Sequence, residues 1–168
     1  MAIEKGASLP EGTLVRVTDD GPEEIAAKEF FADRRVILFG VPGAFTPTCH
    51  NTHMPPFVAR AEEFREKGVD EIAVISVNDP FVMGEWRRQS NAMGRVTFLS
   101  DGAASYTKAL GMEIDLSSRS FGVRSRRYAM LVEDGEVKHL ATDDQPGTVT
   151  GSSADEMMAV LDGSRSDG

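Results

Sequence analysis

The sequence predicts an α/β fold in which a central mixed β-sheet is flanked by helices. Three observations carry that expectation. Short apolar runs at residues 35–41, 71–77 and 96–99 read as strands buried on both faces. Helical patterns follow each of them, as a layered α/β arrangement requires. Late in the chain, two apolar segments flank Asp134 and Gly135, a pair that marks a hairpin and hence antiparallel strands. A length of 168 residues suits one domain, spanning 1–168.

The elements follow in order. Residues 1–12 and 163–168 are small and polar, so both ends are expected to be loose. Residues 13–17 (TLVRV) alternate and read as a strand. The mixed segment 22–31 reads as a helical turn or a loop. Residues 35–41 (RVILFGV) form the first buried strand, stopped by Pro42 and Gly43. From 49 to 67 the pattern is helical, with Phe57, Ala61 and Phe64 on one face. Pro55 lacks the N–H that would bond the carbonyl of Asn51, which predicts a kink with Cys49 in a first, partly separate turn. Gly68 is a natural stop. Residues 71–77 (EIAVISV) are the second buried strand. Asn78, Asp79 and Pro80 form an N-cap region for a helix over 81–89. A third strand covers 96–99, and a short helix covers 103–110, closed by Gly111. Residues 127–132 and 137–141 form the hairpin. A final helix over 152–161 opens with a capping box, Ser153 with Glu156 three residues on.

Composition bounds the function. Lys and Arg total 18 against 27 Asp and Glu, a formal charge of −9. Nucleic acid and anionic membrane surfaces both ask for clustered cations, so neither is expected as a partner. A single Cys rules out an intrachain disulfide and a Cys-rich zinc site. The first residues contain no apolar leader segment, and no run approaches the roughly 20 residues of a membrane span. A reducing, cytoplasmic location is the expectation.

Only residues 41–56 (VPGAFTPTCHNTHMPP) have the density of a reaction site. Cys49 lies at the expected start of a helix, where unpaired N–H groups and the macrodipole favour a thiolate. An unperturbed thiol at a pKa of about 8.5 is only about 3% ionised at pH 7. Lowering that pKa to about 6 takes about 3.4 kcal/mol. One helix terminus supplies roughly 0.3–1 kcal/mol, so an Arg from elsewhere in the chain is expected. Thr46, one turn before Cys49, would set its hydroxyl beside the sulfur. Pro42 and Pro47 stiffen the loop. The plainer readings are that Cys49 is a small buried hydrophobe and Thr46 an N-cap. A metal set built on Cys49, His50 and His53 would need carboxylates, because His139 is the one other His; no metal ligands are assigned. The rings of His50 and His53 are expected on the helix surface or bonded to nearby backbone.

Pro42, Thr46 and Cys49 spell P-x-x-x-T-x-x-C within GVPGAFTPTC. This resembles the active-site motif of the peroxiredoxins, and the longer context resembles the type II, or peroxiredoxin-5-like, branch. Further segments carry the likeness in the same order: His53 with Pro55 and Phe57, AVISVNDPFVMGEW, FLSDG, ALGMEIDL and RSRRYAMLVEDGEV. They span residues 36–140. The resemblance implies a thioredoxin-like fold and no haem, flavin or metal cofactor. It implies that Cys49 is the peroxidatic nucleophile, that Thr46 orients the peroxide and contacts the thiolate, and that Pro42 shields the sulfur. It implies that Arg127 is the cation beside Cys49, with Arg124 and Arg126 as neighbouring alternatives. Many type II members carry a second, resolving Cys; this chain has Val74 at a position where some have it.

The reading that follows is a thiol-dependent peroxidase with a one-cysteine cycle. Arg127, Thr46 and the backbone N–H groups of Thr48 and Cys49 would bind hydrogen peroxide or an alkyl hydroperoxide. An external thiol, from glutathione with glutaredoxin or from thioredoxin, would resolve the sulfenic acid. Rival readings are a redox-regulated binding or signalling protein using the same cysteine as a sensor, and an inert scaffold. A homodimer is expected through the loop carrying Val41 and Phe45.

Overall fold

Seven strands form one sheet. The computed structural model describes residues 2–143 and 149–163. The first half runs β1 (Thr13–Thr18), β2 (Gly21–Ala26), α1 (Ala27–Phe31), β3 (Arg35–Val41), a π-turn (Cys49–His53), α2 (Met54–Ala59), α3 (Ala61–Glu66) and β4 (Glu71–Ser76). It continues with α4 (Pro80–Gln89), β5 (Thr97–Ser100), α5 (Ser105–Ala109), β6 (Glu113–Asp115), a tight turn (Ser117–Arg119) and β7 (Val123–Ser125). The last elements are β8 (Arg127–Glu133), β9 (Glu136–Asp143) and α6 (Ala154–Leu161).

The sheet order is β2-β1-β5-β4-β3-β8-β9. Its centre, β5-β4-β3, is parallel, and the flanking pairs are antiparallel. The sheet is therefore mixed, with the parallel strands reading as near-continuous apolar runs because helices cover both faces. Alternate residues feed two cores. Ile37, Phe39, Val41, Val74, Phe98 and Ala129 face α2, α3, α4 and α6. Val36, Leu38, Ala73, Ile75, Tyr128 and Met130 face the other way, against Phe30, Phe31, Tyr106 and Leu110.

Several elements differ from the sequence reading. The segment read as a turn or loop contains β2, an edge strand bonded to β1 alone. An edge strand needs no apolar face, so GPEEIA shows no alternation, and Pro22 is tolerated there. Residues 2–12 do not hang loose: the amides of Ile3, Gly6 and Leu9 donate to the carbonyls of Leu110, Val137 and Gly135. Apart from Gly163, the C-terminal end expected to fray lies outside the described residues. The helix expected over 49–67 is three pieces. The π-turn ends where Met54 N–H bonds back to Cys49, just before Pro55, and a second break falls at Arg60 (φ −104°, ψ 16°). The small β6-β7 hairpin was not anticipated; strands of three residues carry no readable period. Val41 is fully buried inside the chain and offers nothing to a second subunit. Among the described residues, no helix is long and apolar enough to cross a membrane.

Candidate active site

Cys49 lies just past the carboxyl end of β3, where buried Pro42 and Gly43 turn the chain. A Cβ at Gly43 would meet Arg124 Nη1 at 2.9 Å, so a larger residue there would push the Arg124 guanidinium aside. The loop is pinned from the next strand. Ala44 N–H donates to Asn78 Oδ1 (3.0 Å), which also accepts from Ser76 Oγ (2.6 Å). Phe45 sits at φ +63°, a region that bulky residues rarely adopt, which costs roughly 1–3 kcal/mol and demands such anchoring. Its ring lies 5.6 Å from that of His50 and 6.4 Å from that of Trp86.

The Cys49 side chain is fully buried among Phe39, Met54 and Phe57, as the small-hydrophobe reading would have it. It is not in purely aliphatic company. Arg127 Nη2 donates to Sγ at 3.2 Å. Arg127 is itself buried, on the same sheet face as Ala129 and Leu131. A buried cation is costly unless partnered and hydrogen-bonded. Its second partner is His53, whose Nδ1 lies 2.8 Å from Nη1. The Nε2 of His53 lies 2.9 Å from the carbonyl oxygen of Ser152. A carbonyl only accepts, so Nε2 carries the proton and Nδ1 accepts from the guanidinium. Burial, and next the Arg127 charge, hold the His53 pKa down at about 4. The ring is thus neutral at pH 7, which the acceptor role requires.

A fixed carboxylate holds Ser152 in turn. Asp143 Oδ2 accepts from the amide (3.1 Å) and hydroxyl (2.5 Å) of Ser152, and from the amide of Thr150 (3.1 Å). Its Oδ1 accepts from the Thr150 hydroxyl (2.5 Å) and the Gly151 amide (3.1 Å). Burial alone would raise the Asp143 pKa; the hydrogen bonds from Ser152 and Thr150 outweigh it and bring it to about 2. Asp143 stands opposite Arg127 in the β8-β9 register. A continuous polar chain therefore runs from Asp143 through Ser152, His53 and Arg127 to the sulfur.

The remaining sequence candidates gather around a cleft of about 150 Å³, lined by Pro42, Thr46, Pro47, Thr48, Leu116, Arg119, Phe121 and Arg127. Thr46 is placed differently from the expectation in one respect: its hydroxyl donates to the carbonyl of Gly43 (2.6 Å), so the oxygen offers the cleft its lone pairs. Arg124 donates to the carbonyls of Phe121 and Pro42, and Arg127 is the arginine at the sulfur. The two histidines go separate ways: His50 Nδ1 accepts from Trp86 Nε1 (3.0 Å), while His53 is buried rather than on the surface. The sequence reading missed the roles of His53 and Asp143. The signal for His53 was its place four residues after Cys49, on the same helical face; for Asp143 there was none. Two larger hollows, of about 410 and 460 Å³, lie at the opposite end of the parallel strands and are lined by none of Pro42, Thr46, Thr48 or Arg127, so size alone does not locate the site.

Residues 4–158 match the Redoxin family model. Peroxiredoxin-2C of Oryza sativa subsp. japonica is 45% identical over 157 residues, covering 93% of this chain and 96% of its own. Peroxiredoxin-2B of Arabidopsis thaliana is 44% identical, covering 95% and 98%. The crystal structure of reduced Prx3 from Vibrio vulnificus in complex with H2O2 superposes with a TM-score of 0.89 at 43% identity, covering 95% of this chain and 99% of that one. The thioredoxin-like architecture, the motif around a single cysteine and these likenesses agree: the chain belongs to the redoxin family as a type II peroxiredoxin, a thiol-dependent peroxidase.

Proposed function

We propose that this peroxidase runs a one-cysteine cycle with Cys49 as its nucleophile and a small or protein thiol from outside the chain as its reductant. The observation that carries the reading is the Arg127 guanidinium, which lines an open cleft and donates to the buried Cys49 sulfur behind it. A permanent cation there holds negative charge on the sulfur and on the peroxide oxygen that leaves. The thiolate attacks the terminal oxygen of ROOH in line with the O–O bond. The S–O bond forms, the O–O bond breaks, and the departing alkoxide takes a proton, giving ROH and Cys49 sulfenic acid. One external thiol then condenses with the sulfenic acid, releasing water and leaving a mixed disulfide. A second thiol exchanges with it, restoring Cys49 and releasing an external disulfide. Pro42 and Leu116 shield the sulfur from water, Thr46 accepts from the peroxide O–H, and the N–H groups of Thr48 and Cys49 serve the attacked oxygen.

Glutathione with glutaredoxin, and thioredoxin, are the two reductants this cycle admits, and parallel steady-state assays distinguish them. Many equivalents of peroxide consumed with either system support the cycle; consumption stopping near one equivalent with both would make the cysteine a sensor. We further propose a homodimer at the loop end of the molecule and a reducing, cytoplasmic setting. Phe45 and Phe81, exposed by 42% and 77%, support the dimer, since exposed aromatics are typical interface anchors. Sedimentation of Phe81→Ser against the parent chain tests it: a parent that sediments as a monomer removes the dimer.

A further inference from the structure

We propose that the cleft above Cys49 selects hydroperoxides carrying an anionic group at the far end of a short alkyl segment, with Arg119 as the residue that receives it. This rests on the peroxidase reading and adds a substrate class to it.

Three observations support the assignment. The first is size. A cleft of about 150 Å³ has room for about five water-sized groups, whereas hydrogen peroxide has two heavy atoms. The second is the lining. Polar groups that suit a peroxide, Thr46, Thr48 and Arg127, share the cleft with Pro47, Leu116 and Phe121, which suit methylene groups. The third is charge. The chain carries −9 overall, yet residues 116–132 hold four arginines (Arg119, Arg124, Arg126 and Arg127) and no Asp or Glu.

The duties of these cations differ. Arg127 is buried on the sulfur and His53. Arg124 spends its N–H groups on the carbonyls of Phe121 and Pro42 and lies over the Phe121 ring, with its carbon 5.3 Å from the ring centre. Arg126 is exposed but does not line the cleft. Arg119 lines it, is exposed, and forms no ion pair with a carboxylate of the described residues. A guanidinium free at the mouth of an apolar slot matches a carboxylate or similar anion bidentately. In an acidic protein this segment is also where an anionic substrate meets attraction instead of repulsion. A short-chain ω-hydroperoxy carboxylate has the required shape: the O–O group at the Arg127 end, methylenes along Leu116 and Phe121, and the carboxylate at the rim.

The test compares kcat/KM for a short-chain ω-hydroperoxy carboxylate, 5-hydroperoxypentanoate, with that for its methyl ester. The ratio is read within each protein, so a common change in the peroxide step cancels. For the parent we expect the carboxylate to be favoured about three- to fivefold at low ionic strength, the scale of one exposed ion pair. The preference should shrink with added salt. In Arg119→Gln the ratio should fall to near one, and in Arg119→Glu it should drop below one. A parent ratio of one, or a parent-like ratio in both variants, overturns the proposal. A parent chain that fails on hydrogen peroxide as well would instead overturn the peroxidase reading beneath it.

Discussion

Arg127 and Tyr128 are adjacent on β8, both buried, and point to opposite faces of the sheet. On the Arg127 face the buried polar groups partner one another: carboxylate, hydroxyl, imidazole and guanidinium each have a directed contact, and the chain ends on a sulfur beside a cleft. On the other face, Tyr128 lies flat over Gly40, where a Cβ would come within 2.2 Å of its ring. Its hydroxyl has no hydrogen-bond partner among the described residues, and burial drives its pKa far up. Equal burial thus serves two ends. On one face it holds charges in place for chemistry; on the other it packs an aromatic and leaves a polar atom idle.

Five variants sharpen or break this contrast, in decreasing order of effect. Cys49→Ser should abolish turnover; peroxide reduction at the parent rate in a stopped-flow assay would dismantle the contrast altogether. Arg127→Ala should slow peroxide attack by roughly 10²–10³-fold, the usual loss on removing one preorganised donor. Arg127→Lys should rescue little, because one ammonium cannot address sulfur and imidazole from the same fork. An unchanged rate in Arg127→Ala would shift the cationic role to Arg124; an unchanged rate in Arg127→Lys would mean that one ammonium at this position is enough.

His53→Gln should slow attack by about tenfold, since a correctly held cation is retained only in part. It should also change the pH dependence of stability. His53 titrates at about 4 in the fold and near 6.5 unfolded. Between those values the unfolded chain binds the extra proton, so the native state loses roughly 3 kcal/mol as pH falls from 6.5 to 4. The loss contributed by Asp143 comes only below its ordinary carboxylate range, toward 2. Thermal melts should therefore show a slope between pH 6.5 and 4 in the parent chain that flattens in His53→Gln; an identical slope would mean that the ring is not the buried acceptor described. Smallest is Tyr128→Phe, which should leave peroxide kinetics unchanged and alter stability by about 1 kcal/mol, upward, because an idle buried hydroxyl is removed. A large loss of activity there would blur the distinction between the two faces.

Much of this was legible in local sequence. The apolar runs became β3, β4 and β5, and Asp79 caps α4 by accepting from the amides of Phe81 and Val82 (2.8 and 2.9 Å). Ser153 likewise accepts from the Glu156 amide. Cys49 and Thr46 stand out through spacing; the need for a cation calls for an Arg, and the family resemblance singles out Arg127 from its neighbours Arg124 and Arg126. The missed parts depend on distant partners. His53 reads as a surface ring or one bonded to nearby backbone, whereas it is buried and the carbonyl it meets belongs to Ser152, 99 residues away in sequence. Asp143 is an ordinary acidic residue at a strand end until Thr150, Gly151 and Ser152 donate to its oxygens. β2 has no period because a strand paired on one side alone needs none.

Under the proposed one-cysteine cycle, the complete burial of Cys49 would separate oxidation from repair by size. A two-atom oxidant fits the cleft, but a reductant must bring its own sulfur to about 2 Å along a fixed axis, dragging a tripeptide or a whole protein behind it. The closed π-turn leaves no such approach. Bonds such as Met54 N–H to Cys49 O and His50 N–H to Thr46 O have to part before repair can begin. At saturating thiol, recycling then runs at the pace of that opening, whichever reductant is waiting outside.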